Sequence, residues 1–406
     1  MNEKESLPEG WRWVRLGEVC NPTENRNPKT TPDRSFRYVD ISSVDNRSKK
    51  IIEARTIIGK DAPSRARQII RANDIIVATT RPNLNAVVLV PKELDNEICS
   101  TGFCVLRPTG DIEPLFLFAF VQSRYFIDTV SSQGQVKGTI YPAVTDDQVR
   151  AVFLPLPPLP EQRRIAAKLQ ELMREVECAR TACEKQLGVT KALPAAYLCE
   201  VFESEEAKKW EKKRLGQVCE VFSGSSAPQE EKYFKNGKYP FVRVQDLGRY
   251  GKTTNLTVIK DYINDIAIKE VNLVKAGRGT ILFPKSGAAI TTNNRAILGT
   301  DAYIVSHLAA IKPKDKIADT FFVYYWLCMA DMVNYMENPG YPSLKLSTVS
   351  KITIPLPSLE NQHRIAPYLK EKISYAEKLR TSIEKQLETI NALPQAILRK
   401  AFRGEL

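Results

Sequence analysis

The chain has 406 residues, 43% hydrophobic and 26% charged, a composition that excludes a wholly disordered protein and leaves room for two or three folded domains. Lysine and arginine number 59 against 47 aspartates and glutamates, and the net charge of +12 points to a polyanionic partner, most often nucleic acid. No apolar run approaches the ~18 residues of a membrane span, and the polar start MNEKESLPEG lacks the apolar core of a signal peptide; a cytoplasmic chain that meets no membrane is expected.

In chain order, Trp11–Cys20 reads WRWVRLGEVC, and Trp210–Cys219 answers it with WEKKRLGQVC. Between about 21 and 150, β-like runs stand at Phe36–Ile41, Ile75–Ala78, Ala86–Val90 and Phe103–Leu106, and a helix-like run follows near Pro114–Phe126. The same sequence of signals returns between about 220 and 350. Strands are expected at Phe241–Val244, Thr280–Phe283 and Tyr303–Val305, and a helix near Asp319–Met336. Strands first and a helix late describe compact α+β domains. The basic run Lys208–Arg214 reads as a solvated linker, with a phosphate contact the alternative.

Residues 154–165 read LPLPPLPEQRRI, and 354–365 read IPLPSLENQHRI. Shifting 155–202 by 200 positions aligns it without gaps to 355–402, with about half the residues identical. Repeats on this scale define the architecture. The prolines hold the backbone extended, Pro160 fits a first helical turn, and Ser358 fits an N-cap.

Apolar residues then recur at spacings of three and four: Ile165, Leu169, Leu172, Val176, Ala179, Cys183 and Leu187, and again Ile365, Leu369, Ile373, Ala376, Leu379, Ile383, Leu387 and Ile390. That is a coiled-coil seam. Two matched helices, each closing a half-copy, are expected to pair antiparallel. A helix of about 30 residues spans ~45 Å, and a separate terminal helix should start at each ALP, Ala192–Pro194 and Ala392–Pro394. Pro367, standing where the first copy has Ala167, should kink or delay the second helix.

Catalytic signatures are missing. No phosphate loop, dinucleotide fingerprint, nucleophile elbow or H-E-x-x-H pair occurs, nor the N-P-P-[YF] string of an amino-methylating DNA methyltransferase. Eight scattered Cys and two distant His form no ligand cluster, so no metal and no other cofactor is expected, and the thiols read as reduced and mostly buried.

The string PLPPLPEQRRIA, the heptad helix and the ALP that follow it, with their second copy PLPSLENQHRIA, resemble the conserved regions of specificity subunits from type I restriction-modification systems. NDIIVATTRPN at Asn73–Asn83 and GTILFPKSGA at Gly279–Ala288 resemble the strand-and-loop of that family's target recognition domains. The resemblance covers the whole chain and implies a non-catalytic DNA reader. Two α+β target recognition domains, 1–152 and 207–352, would each read half of a split site in double-stranded DNA. Two helical regions, 153–206 and 353–406, would space the domains and dock two modification (methyltransferase) subunits, which bring S-adenosylmethionine chemistry. Motor/nuclease restriction subunits would join for cleavage. A scaffold organising protein partners without reading DNA is the alternative. A self-sufficient methyltransferase is disfavoured by the missing motifs.

Base reading calls for Arg, Lys, Asn, Gln, Ser and Thr on loops. In the first domain the candidates are Thr80, Arg81, Asn83 and Asn85, with Gln135, Lys137 and Thr139 as a second loop. In the second they are Lys285, Ser286, Thr291, Thr292, Asn293, Asn294 and Arg295, with Tyr341 and Lys345. Gln162, Arg164, Gln362 and Arg364 are the candidates for docking the modification subunits, with bracing of the helix starts the structural alternative.

Overall fold

A computed structural model describes residues 6–133, 143–248, 254–336 and 342–406. The chain divides into two compact units, residues 1–184 with 385–406, and residues 185–384.

In the first unit, mostly buried strands form two four-stranded sheets. One sheet runs in the order Arg55–Ile58, Ser35–Val39, Glu97–Ser100, Ala66–Ile70. The other runs Cys20–Asn21, Phe103–Pro108, Ile75–Ala78, Val87–Leu89. Ser35–Val39 and Glu97–Ser100 pair in parallel, and their other neighbours are antiparallel. Ile75–Ala78 is buried on both faces, as its unbroken apolar run requires. The helix-like run resolves into two helices, Pro114–Phe120 and Arg124–Gln133.

The second unit repeats this strand order on a different sequence. Asp261–Ile263, Tyr239–Val242, Ala302–Ile304 and Lys275–Ala276 form one sheet, again with one parallel pair. Cys219–Ser223, Leu308–Pro313, Ile281–Pro284 and Ala296–Leu298 form the other, extended by Asn255–Leu256. The expected helix forms at Thr320–Met329, where Asp319 caps the Phe322 amide at 2.9 Å.

Each RLG motif belongs to a two-stranded ladder. Arg12–Arg15 pairs antiparallel with Phe153–Leu156, Trp13 opposite Pro155. Glu211–Arg214 pairs with Thr353–Leu356, Lys212 opposite Pro355. A two-stranded ladder leaves one edge of each strand open, and there a proline without N–H is tolerated. The run Lys208–Arg214 is solvated as expected but not merely a linker, because its last four residues form this strand. The second RLG glycine permits close approach to the short helix beyond: a Cβ on Gly216 would stand 3.2 Å from Ser350 Cβ, whereas one on Gly17 would make ordinary contact at 3.5 Å from Arg150 Cβ.

The prolines lead into two long helices, Leu159–Phe202 and Leu359–Ala401. Each is one element, ~66 Å long at 1.5 Å per residue, so the separate helices expected at each ALP do not exist. Pro194 and Pro394 lie inside the helices. Pro367 does not delay the second helix, which starts at Leu359 as the first starts at Leu159. An interior proline costs ~3 kcal/mol, and the buried Ala366 and Leu369 beside it anchor that turn. Ser358 caps as expected, its hydroxyl accepting from the Asn361 amide at 3.4 Å.

The helices pair antiparallel within each unit. In the first, Ile165, Ala166 and Leu169 near the start of one helix share a core with Leu398, Ala401 and Phe402 at the end of the other. In the second, Leu198 and Phe202 share a core with Ala366 and Leu369. Phe402 stacks edge-on against Phe116 at 5.2 Å, and Phe202 against Phe322 at 5.3 Å. The seam departs from expectation at one position: Ala179 is exposed and Arg180 turns inward. Among the described residues no helix is long and apolar enough to cross a membrane.

The cysteines sort by burial. Burial pushes the Cys20 and Cys219 thiols up to about 12 and those of Cys99 and Cys104 higher still, whereas Cys178 and Cys199 are exposed. Titration of the native chain with a thiol reagent should modify Cys178 and Cys199 first and leave Cys20, Cys99, Cys104 and Cys219 unreacted until denaturant unfolds it. Rapid labelling of those four under native conditions would contradict the fold.

Candidate nucleic-acid interface

In each unit the strand that reads as an apolar run ends in a polar loop. Ile75–Ala78 leads through Thr79 and Thr80 into the 3-10 turn Pro82–Leu84 and back along Val87–Leu89. Ile281–Pro284 leads through Lys285 and Ser286 into the 3-10 turn Ala288–Thr292 and back along Ala296–Leu298.

Each loop is tied to a second segment just before a short helix. Thr80 bridges Ala143, and the Val144 amide donates to the Thr79 carbonyl at 2.9 Å. Ser286 bridges Ser343, and the Leu344 amide donates to the Lys285 carbonyl at 2.8 Å. The two halves thus build one joint from different residues. Gln135, Lys137, Thr139 and Tyr341 lie outside the described residues.

Arg81 and Asn83 are exposed at the turn of the first loop and Thr80 is half-buried. Arg81 and Asn85 flank the turn in left-handed conformation, φ 50° and 47°. Asn85 is buried, only 8% exposed, so the expectation that its amide reads a base is replaced by a backbone role. In the second loop Lys285, Ser286 and Asn294 are half-buried and Thr291, Thr292 and Lys345 exposed. The Thr291 and Thr292 hydroxyls donate to Ala288 and Ala289 carbonyls at 2.7 Å, which fixes their rotamers and leaves their lone pairs outward. The Ser286 hydroxyl meets His307 Nδ1 at 2.5 Å.

Arg295 is corrected. It is 4% exposed, and its guanidinium donates to the carbonyls of Leu327 at 3.3 Å and Ala330 at 3.4 Å, at the C-terminal end of the helix Thr320–Met329. It also donates to Asn293 Oδ1 at 2.5 Å and lies over the Phe283 ring. Burial pulls its pKa down to about 10. Cation and helix dipole attract here, so Arg295 and Asn293 brace the loop from beneath.

Gln162 and Gln362 are corrected likewise, from docking residues to buried clamps. Gln162 is 1% exposed and Gln362 is fully buried. Gln162 Oε1 accepts from the Glu113 amide at 2.8 Å, and its Nε2 donates to the carbonyls of Asp111 at 3.0 Å and Pro157 at 2.9 Å. Gln362 makes the same set: Asp319 amide at 2.8 Å, Ile317 carbonyl at 3.2 Å and Pro357 carbonyl at 2.9 Å. One amide thus joins the long helix, the proline entry and the first turn of a domain helix. Arg164 and Arg364 remain on the surface. Arg164 makes a bidentate pair with Glu161, both bonds 2.7 Å, and also donates to the Leu406 carbonyl.

The sequence reading missed the joint segments Ala143–Val144 and Ser343–Leu344, which carry no polar signature beyond a serine. Among the described residues no group of three His, Cys, Asp or Glu could hold a metal.

The architecture defines a class: a doubled α+β chain whose domains share one topology, each closed by the start of one long helix and the end of another. The family model described as type I restriction modification DNA specificity domain matches residues 8–183 and 207–389, and the chain belongs to that family, whose name marks it as recognising DNA sequence. It is 27% identical over 349 residues to the type I restriction enzyme MjaIX specificity subunit of Methanocaldococcus jannaschii, covering 82% of this chain and 77% of that one. It is 25% identical to the EcoKI specificity subunit of Escherichia coli, over 84% of this chain and 76% of that one. The HsdS subunit from Thermoanaerobacter tengcongensis, a crystal structure, is 36% identical and superposes with a TM-score of 0.74 over 99% of both chains. A further solved chain, from work on complex assembly and conformational transition of the type I R-M system, is also 36% identical. It superposes with a TM-score of 0.84 over 99% of this chain and all of that one.

Replacing Gln162 by Leu keeps the volume and strips the Glu113 amide and two carbonyls of partners. At ~1–3 kcal/mol per buried unsatisfied group, urea unfolding should show a loss of about 3 kcal/mol, and Gln362→Leu the same. Arg164→Ala should leave the midpoint unchanged. Equal effects from Gln162→Leu and Arg164→Ala would refute the clamp.

Proposed function

We propose that this chain is the sequence-specific DNA-binding subunit of a type I restriction-modification complex. Residues 1–152 and 207–352 are target recognition domains, each reading one half of a bipartite site. The helical regions 153–206 and 353–406 set the spacer between the halves and dock two modification subunits. Methylation and cleavage are carried out by those subunits and by motor/nuclease subunits in the cytoplasm, and this chain contributes no catalytic group.

The observation that carries the reading is the duplicated loop joint. Two domains with little shared sequence keep one strand order and one backbone junction, yet present different polar side chains there. That is the arrangement expected where a scaffold is fixed and a readout is free to vary. Thr80, Arg81 and Asn83 would contact bases in one half-site, and Lys285, Ser286, Thr291, Thr292, Asn294 and Lys345 in the other, with Gln135, Lys137, Thr139 and Tyr341 on the neighbouring segments. Arg suits guanine and Asn adenine, each good pair discriminating by ~1–3 kcal/mol. The net charge of +12 supplies the phosphate attraction that positions the loops.

Selection of duplexes from a randomised pool by the full chain with its modification subunits should return a two-part motif with a fixed gap. Arg81→Ala should relax one part and leave the other. Adding or removing one or two helical turns in either long helix should change the gap and neither part. Altered half-site sequences in the helix variants would refute this division of labour.

A further inference from the structure

Seven described residues other than glycine have positive φ: Lys49, Asn73, Arg81, Asn85, Asn96, Asn236 and Asn293. Asparagine tolerates this region and accounts for five of them. The two that are not asparagine, Lys49 and Arg81, are both cations and belong to one junction in the first unit. Lys49, φ 54°, closes the turn between the short strands Val44–Asp45 and Lys50–Ile51. Its Nζ donates to the main-chain carbonyl of Asn85 at 2.5 Å, at the end of the loop that begins with Arg81. A residue held in a disfavoured backbone region needs surroundings that over-determine it.

The turn is built for that. Asp45 accepts from the Arg47 amide at 3.2 Å, the Ser48 amide at 3.0 Å and the Ser48 hydroxyl at 2.5 Å, and these bonds hold its carboxyl below the usual range. Arg47 pairs with Glu184 on the long helix, which anchors the turn from its other side. Lys49 is half-buried, and burial lowers its pKa. The turn and loop share a groove of about 510 Å³, into which the otherwise exposed Leu84 faces beside Arg180. A lysine with ordinary surface duties would keep its ammonium in water. This one donates to a carbonyl of the loop, and the Asp45 carboxylate of its own turn partly balances its charge.

We propose that Lys49 is a specificity-determining positioning residue: its ammonium fixes the Arg81–Asn85 loop in its two left-handed kinks, so that Arg81 and Asn83 are presented in one geometry. The proposal rests on the reading of DNA by that loop. Lys49 itself touches no base. The contact lies within the first unit, so the effect belongs to that unit's half-site.

The test compares wild type, Lys49→Met, Lys49→Arg and Arg81→Ala as full chains with the modification subunits. Binding is measured to the selected duplex and to duplexes carrying single mismatches in each half. Lys49→Met should lower discrimination in one half-site about tenfold, the scale of one lost base contact, with discrimination in the other half, and the thermal midpoint, unchanged. Lys49→Arg, which keeps a cationic donor, should restore most of it. Should Lys49→Met fail to fold, Lys49→Gln, with a shorter neutral donor, should give an intermediate loss. Discrimination unchanged in the Met variant, or lost equally in both halves, overturns the proposal while Arg81→Ala still relaxes one half. If Arg81→Ala also changes nothing, the loop does not read DNA and both readings fall.

Discussion

One buried amide in each half makes the rest of the structure possible. A domain that ends in a proline-rich strand and continues into a long helix would pivot at that joint. Gln162 and Gln362 tie that joint to the domain. Each bonds three backbone groups, two in the segment that enters a domain helix and one in the proline entry, and burial makes every one of those bonds costly to break. The prolines contribute by limiting the extended segment to few conformations. The edge-on Phe116–Phe402 and Phe202–Phe322 pairs then close each domain with the end of the opposite helix. A helix can transmit its length to a domain only if the joint between them is stiff.

Stiffness beneath permits variety above. The two units share strand order and the parallel pairing at the centre of one sheet, although their sequences between the repeats share little beyond pattern. Sheets need buried apolar residues at the right positions, and many sequences supply them. The loop after the central strand is held by backbone bonds to Val144 or Leu344, which any side chain could accompany. Its polar residues are therefore free to differ. Braces differ too: Lys49 stabilises the first loop from the side, and Arg295 the second from below.

Much of this was legible in the sequence. The repeat, the two helices, their antiparallel pairing, the Ser358 cap and most strands follow from periodicity and spacing, because those elements bury a regular face. What the sequence concealed is where polar residues turn inward. Gln162 sits among charged residues at a helix start and reads as surface, since its partners at Asp111 and Glu113 lie about fifty positions away. Arg295 reads as one more cation in a polar run, and only the fold places the end of Thr320–Met329 against it. Pro194 and Pro394 look like helix starts, yet apolar residues on both sides keep each helix whole. Arg180 displaces Ala179 from the seam because an ideal helix drifts against a strict heptad. Lys49 carries no local signal, for its role depends on a backbone conformation.

The central claim is that this doubled scaffold assigns methylation to a split DNA sequence. Methylome sequencing of cells with the gene intact and deleted tests it most directly. The account predicts that one two-part motif, with a gap of constant length, is methylated in the first and unmethylated in the second. If deletion changes the methylation of no such motif, the account is wrong.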